Sequence, residues 1–279
     1  MSDPRLSEIW LYPVKSLGGI QVDRWRLDAF GLYLDRRWMV VDRDGNFMTQ
    51  REYPQMARIT PALAESIEAS GRTVGQPVLT LHHPEHGTFD VPHTGHGVPR
   101  VTVRVWSDQV QALPVGEEAD SWLSNAIGVC CRLVWFPDDV MRQVDTRYAE
   151  KGDRTAFSDG FPLLLIGQGS LDDLNQRLPE PLPMRRFRPN LVVSGTDPYI
   201  EDTWRRIQIG NINLRVVKPC SRCIITTVDP ETGCYTGKEP LKTLATYRRR
   251  GNRVYFGQNL VHEARGEIEV AMVVEPVRG

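Results

Sequence analysis

Ile207 and Ile209 stand just before Gly210-Asn211, and Ile212, Leu214 and Val216 follow it. Apolar residues at every second position share one face of a strand but scatter around a helix, so this stretch is extended. A Gly-Asn pair between two such runs predicts a β-hairpin, because both residues tolerate the left-handed backbone of a tight turn. The second arm continues through Lys218-Pro-Cys-Ser-Arg-Cys223 into Ile224-Ile-Thr-Thr-Val228, which reads as a hydroxyl-rich strand. Asp229-Pro-Glu-Thr-Gly233 then predicts a turn, with proline fixing φ and glycine supplying a positive φ.

Cys223 therefore falls at a strand end, beside Arg222 and near Lys218. Neighbouring cations favour the thiolate, which is the form that binds metals or attacks electrophiles. Cys220 and Cys223 also spell C-x-x-C, and several readings stay open. A zinc site takes about four ligands, and no second C-x-x-C occurs. A thioredoxin-like pair belongs at a strand-to-helix junction, whereas an isoleucine and threonine run follows here. The plainest reading is two ordinary thiols at a strand end.

The first hundred or so residues are β-rich in pattern. Trp38 to Val41, a turn over Asp42 to Asn46, and Phe47 to Gln50 predict a hairpin. Leu79 to Arg104 is broken repeatedly by Gly and Pro and holds five of the six histidines. His83, His86, His93 and His96 invite a metal reading, but no cysteine lies among them and a polar surface hairpin fits better. Glu117 to Ile127 carries Ala119, Trp122, Leu123, Ala126 and Ile127 at helical spacing, with Gly128 as its stop. Cys130 and Cys131 open a short strand ending at Phe136, and adjacency turns one inward and one outward. Pro137 to Asp159 lacks periodicity and predicts a long loop bordering a pocket. A second helix is expected from an N-cap at Ser170 to Leu178, a third over Leu241 to Arg249, and a closing strand over Gly266 to Val274.

Charge and cysteine usage narrow the function classes. The formal net charge of −1 over 279 residues gives no electrostatic case for nucleic acid or an anionic membrane. No apolar run approaches the roughly 20 residues of a membrane span, and the Met1-Ser-Asp-Pro start lacks the apolar core of a signal peptide. Five cysteines, an odd count, fit reduced thiols, so a cytoplasmic location is expected.

The run Cys220-Ser-Arg-Cys-Ile-Ile-Thr-Thr-Val-Asp-Pro-Glu-Thr-Gly233 resembles the signature of the MOSC domain, a molybdenum-cofactor module. Ile9-Trp-Leu-Tyr-Pro-Val-Lys-Ser-Leu-Gly-Gly19, Asp35-Arg-Arg-Trp38, Phe187-Arg-Pro-Asn190, Lys238-Glu-Pro240 and Phe256-Gly-Gln-Asn259 match the same family in its order. The subgroup it resembles is that of the amidoxime-reducing and YcbX-like reductases. The fold this implies is mainly β with a few helices, a MOSC β-barrel-like domain packed against a β-rich N-terminal domain. The first helix places the join near residues 115 to 125, dividing 1–120 from 121–279.

The resemblance implies that Cys223 ligates molybdenum and is the catalytic residue, a soft thiolate suiting a metal already held by dithiolene sulfurs. It implies that Lys15, Ser16, Arg36, Arg188, Asn190, Ser221, Arg222 and Asn259 hold the molybdopterin. Two departures stand out. Gly160-Phe161 replaces two hydroxyl residues of eukaryotic members, and Asn259 stands where they have tyrosine. The implied activity is reduction of N-hydroxylated compounds, with a cofactor carrier or a persulfide sulfur carrier as alternatives. YcbX-like relatives carry a ferredoxin segment, whereas no cysteine follows Cys234 here and no G-x-G-x-x-G follows a strand. Electrons are therefore expected from a separate ferredoxin- or cytochrome-type protein.

Overall fold

A computed structural model of the chain describes residues 3–64, 79–92 and 97–277. Strands dominate, joined by helices Glu117–Ile127, Gln168–Arg177 and Leu241–Tyr247. The largest sheet has nine strands. Along its main path lie Val274–Val277, Arg206–Ile209, Ile212–Arg222, Arg253–His262, Leu163–Gly167, Leu191–Ser194, Arg5–Leu11 and Ile20–Val22. A second sheet of five strands orders Val14–Lys15, Trp38–Val41, Arg132–Trp135, Asp108–Pro114 and Val101–Val105.

The hairpin predicted from the alternation forms as Arg206–Ile209 against Ile212–Arg222, with Ile209 opposite Ile212 across Gly210-Asn211. Its apolar set, Ile207, Ile209, Ile212 and Leu214, is at most 1% exposed. Burying such a side chain contributes roughly 1.5–3 kcal/mol, which pins the register of the arm that carries Lys218 to Arg222. That arm pairs along its length with Arg253–His262, placing Lys218 opposite Asn259, and two bulges bend it.

Glu117–Ile127 forms as its spacing predicts, burying Ala119, Leu123, Ala126 and Ile127 and ending at Gly128 with φ 83°. Three acidic residues in its first turn complement the helix dipole. Cys131 is buried and Cys130 exposed, but the strand is Arg132–Trp135 and both cysteines stand ahead of it, not on it. Trp38–Val41 turns back on Phe47 and Met48 through Asp42 and Asn46, although the return arm is only a bridge.

Four expectations are corrected. Ile224–Thr227 is a 3-10 turn and not a strand, with the Thr226 and Thr227 hydroxyls donating to the carbonyls of Cys223 and Ile224. Ser170 is no N-cap: the helix starts at Gln168, and the Ser170 hydroxyl donates instead to buried Glu201 at 2.7 Å. The third helix ends at Tyr247, short of the expected Arg249, and buries Leu244. Gly266 to Val274 is not one strand. Gly266–Glu269 pairs with Arg24–Leu27, and after a turn with Ala271 at φ 72°, Val274–Val277 joins the large sheet. The His83 and His86 rings lie 4.8 Å apart and tilted at 43°, and His93 and His96 lie outside the described residues.

Candidate functional site

A cleft of about 1020 Å³ lies where the two main sheets meet. All nine residues singled out in the sequence line it: Lys15, Ser16, Arg36, Arg188, Asn190, Ser221, Arg222, Cys223 and Asn259. Most come from strand ends, and Asn259 lies within Arg253–His262. Lys15 closes a two-residue strand paired in parallel with Trp38-Met39, Arg36 precedes that partner, and Arg188 and Asn190 precede Leu191–Ser194.

Backbone strain is concentrated here. Ser16, Arg36, Arg188 and Trp106, all lining the cleft, hold φ of 66°, 49°, 54° and 55°. Left-handed backbone costs a non-glycine residue of order 1–3 kcal/mol and persists only where the surroundings over-determine it. Hydrogen bonds supply that constraint. The Arg36 guanidinium donates to the Asp35 carboxylate at 2.5 Å and to Asn190 Oδ1 at 2.9 Å. Asn190, 1% exposed, also accepts from the Leu164 amide and donates to the Trp10 carbonyl. Its side chain is thus largely occupied in tying three strands and one arginine together.

Tyr12 lies between two of these cations, with the guanidiniums of Arg36 and Arg188 at 4.4 and 4.2 Å from its ring centre. Burial pushes its phenol up to about 12. Burial likewise pulls Arg188 down to about 10, with Arg36 adding repulsion. Neighbouring Arg37 has another task. It is 1% exposed, donates to the Phe136 carbonyl at 2.7 Å and stacks on Phe30 and Trp135, so of the two adjacent arginines only Arg36 reaches the cleft.

The Lys15 ammonium donates to the Phe157 carbonyl at 2.8 Å and to Asp159 at 2.5 Å. Burial pulls it down to about 8 against the attraction of Asp159. Burial raises Asp159 in turn, but the charges of Lys15 and Arg51 outweigh it and hold the carboxyl well below the usual range. Asp159 faces the open cleft with 58% of its side chain exposed, which fits the ionised form. The segment that carries it is held by buried Arg142, which donates to the carbonyls of Ala156 and Ser158. The predicted loop over 137 to 159 therefore does border the cleft.

On the opposite wall, Cys223 is half-buried in extended backbone at φ −127° and caps the 3-10 turn. The expectation that Arg222 serves Cys223 is corrected. Its guanidinium lies 3.1 Å from Cys220 Sγ and donates to the Phe187 carbonyl at 2.5 Å, since residues two apart on a strand share a face. Both thiols are free. Asn259 Nδ2 donates to the Lys218 carbonyl at 3.1 Å, and Ser221 is exposed.

Sequence reasoning left out Arg51, Arg142, Arg147 and Arg253, as well as Trp106 and Asp159, all of which line the cleft. No motif marks them, because loops far apart in the chain deliver them. The excess of cations over the lining acids Asp108, Asp145 and Asp159 makes the cleft an anion-binding environment.

Residues 3–130 match the MOSC N-terminal beta barrel domain, and residues 152–275 match the MOSC domain. Over 283 residues the chain is 34% identical to mitochondrial amidoxime-reducing component 1 of Mus musculus, covering 95% of this chain and 80% of that protein. Component 1 of Xenopus laevis is also 34% identical, over 95% of this chain and 80% of its own length. Mitochondrial amidoxime reducing component 2 of Bos taurus is 32% identical over 87% of this chain and 72% of its own.

Proposed function

The chain belongs to the MOSC family of the amidoxime-reducing components, and from that premise we propose that it is a molybdenum-cofactor-dependent reductase of N-hydroxylated compounds, supplied with electrons by a separate redox protein. The observation that supports this reading is the convergence on one cleft of a free thiol and cations from four separate segments. The donor set fits such a group. Arg188 and Arg222 bond to the carbonyls of Leu17 and Phe187 rather than to carboxylates, so their charge is left for an anionic ligand. Cys223 offers the soft donor that a dithiolene-bound metal prefers.

When bound, the molybdenum cofactor supplies the two-electron chemistry that removes the oxygen of an N–OH group. The residues around it bind and orient. Lys15, Ser16, Arg36 and Arg188 would hold the pterin and its phosphate, and the strained backbones of the last three place their donors before the ligand arrives. Cys223 would ligate the metal, and Arg222, fixed on the Phe187 carbonyl, would offer its charge to the molybdopterin.

The test is an amidoxime reduction assay on protein made in a cofactor-producing host, with reduced viologen as donor and NADH alone as control. Turnover with viologen and none with NADH is expected, alongside molybdenum and pterin in the purified protein. Bound cofactor without turnover from any donor would replace the reductase by a cofactor carrier.

A further inference from the structure

Lys218 lines the cleft five residues ahead of Cys223 on the same arm, and its charge is accounted for by no carboxylate among the described residues. The ammonium rests instead on two aromatic rings, 4.3 Å from the centre of Tyr148 and 5.6 Å from that of Phe161. The rings meet edge to face at 6.2 Å. Cation–π contact of this kind orients an ammonium without neutralising it. Asp145 lies near enough to be lowered slightly by Lys218, but its carboxylate is engaged by Arg147 at 2.6 Å.

One ring of this seat, Phe161, belongs to the Gly160-Phe161 pair that departs from the family pattern, and the nearer ring, Tyr148, comes from elsewhere. Tyr148 comes from the loop that borders the cleft and is 38% exposed. A bulge between Pro219 and Ser221 bends the arm, so Lys218 and Cys223 stand closer than the roughly 16 Å that five fully extended residues span. Both line the same cleft, and an aromatic ring carrying a reducible group at one end and an anion at the other would lie between them.

We propose that Lys218, seated on Tyr148 and Phe161, is a specificity-determining residue that selects planar aromatic substrates bearing a carboxylate or phosphate group. The inference rests on the reading of this cleft as the substrate site, and deepens it. On that reading the phosphate of the cofactor would take Lys15, Arg36 and Arg188, which leaves Lys218 for a second anion.

Binding is measured by calorimetry on the cofactor-loaded protein, with 4-carbamoylbenzoate and with neutral benzamide, which lacks only the para carboxylate, as probes. The wild type binds the carboxylate about tenfold tighter than the amide, a difference of one charge-assisted hydrogen bond. Lys218→Met erases that preference while leaving benzamide affinity and molybdenum and pterin content unchanged, and Lys218→Arg keeps most of it. Equal binding of both probes by the wild type overturns the proposal, as does a preference that survives Lys218→Met. Loss of cofactor from Lys218→Met overturns it too, by making the lysine a cofactor anchor. Because no turnover is required, the two readings fail separately. A carboxylate preference in protein that never reduces benzamidoxime sinks only the reductase, whereas benzamidoxime turnover without the preference sinks only the anion subsite.

Discussion

On one wall of the cleft, Ser16, Arg36 and Arg188 sit at positive φ, and Arg36 is locked by the Asp35 carboxylate and Asn190. On the other wall, Lys218 to Arg222 lie on a strand whose register comes from a hairpin, and Cys223 follows in relaxed extended backbone. The first wall stores strain and spreads its cations over aromatic faces and carbonyls. The second leaves a lysine on two rings and a thiol open to the cleft. Such a division lets one wall hold a large ligand rigidly while the other presents reactive groups that need no distortion. Preorganised donors suit binding, because their ordering cost is met during folding rather than at ligand capture.

The comparison breaks most sharply at the thiol. Cys223→Ser is expected to bring amidoxime turnover to background, since a neutral hydroxyl is a poor donor to molybdenum. Full turnover by that variant with metal bound would remove the relaxed wall from the chemistry.

The strained wall is tested by Arg188→Ala. Loss of a charge-assisted contact to an anion should lower cofactor affinity by about 10- to 100-fold, with little change in melting temperature. Molybdenum and pterin analysis of purified protein reads the occupancy, and an unchanged value would make Arg188 a packing residue.

A smaller effect separates the walls by pH. Lys15 falls to about 8 in the folded chain from an ordinary 10.5. Between those values the unfolded chain keeps the proton and the folded chain lacks it, so this residue adds stability as pH rises from 8 toward 10.5. Its charge is lost over the same rise, so inorganic phosphate binding should weaken by up to about tenfold per pH unit above 8. Lys15→Arg should flatten that profile. Asp159→Asn removes an attraction that holds the proton on, and should move the midpoint below 8. Phosphate titrations at several pH values measure both.

The smallest expected effect is at Cys220. Its thiol bonds to Arg222 and not to Cys223, so Cys220→Ser should retain most turnover in the viologen assay. A loss equal to that of Cys223→Ser would instead unite the two thiols in one mechanism.

Local pattern made much of this legible. The alternation around Gly210-Asn211 specified a hairpin, and the spacing from Ala119 to Ile127 specified a helix with its glycine stop. The candidate residues were found through motifs and do share one cleft. The misreadings have a common cause. Ile224 to Thr227 has strand-like composition, yet threonine hydroxyls bonding back to carbonyls favour a tight turn. Ser170 has an N-cap's chemistry, but a buried carboxylate from Glu201 claims its hydroxyl. Gly266 to Val274 alternates throughout, and competing partner strands divide it between two sheets.

By itself the amino-acid sequence determined what depends on neighbours within a few positions: periodicity, turn chemistry, and a thiol set among cations. Which arginine of Arg36-Arg37 faces the cleft and which rings seat Lys218 were decided only in three dimensions. Each depends on contacts between segments tens to hundreds of residues apart. Burial and charge at such contacts are set by the whole packed chain, and no local pattern encodes them.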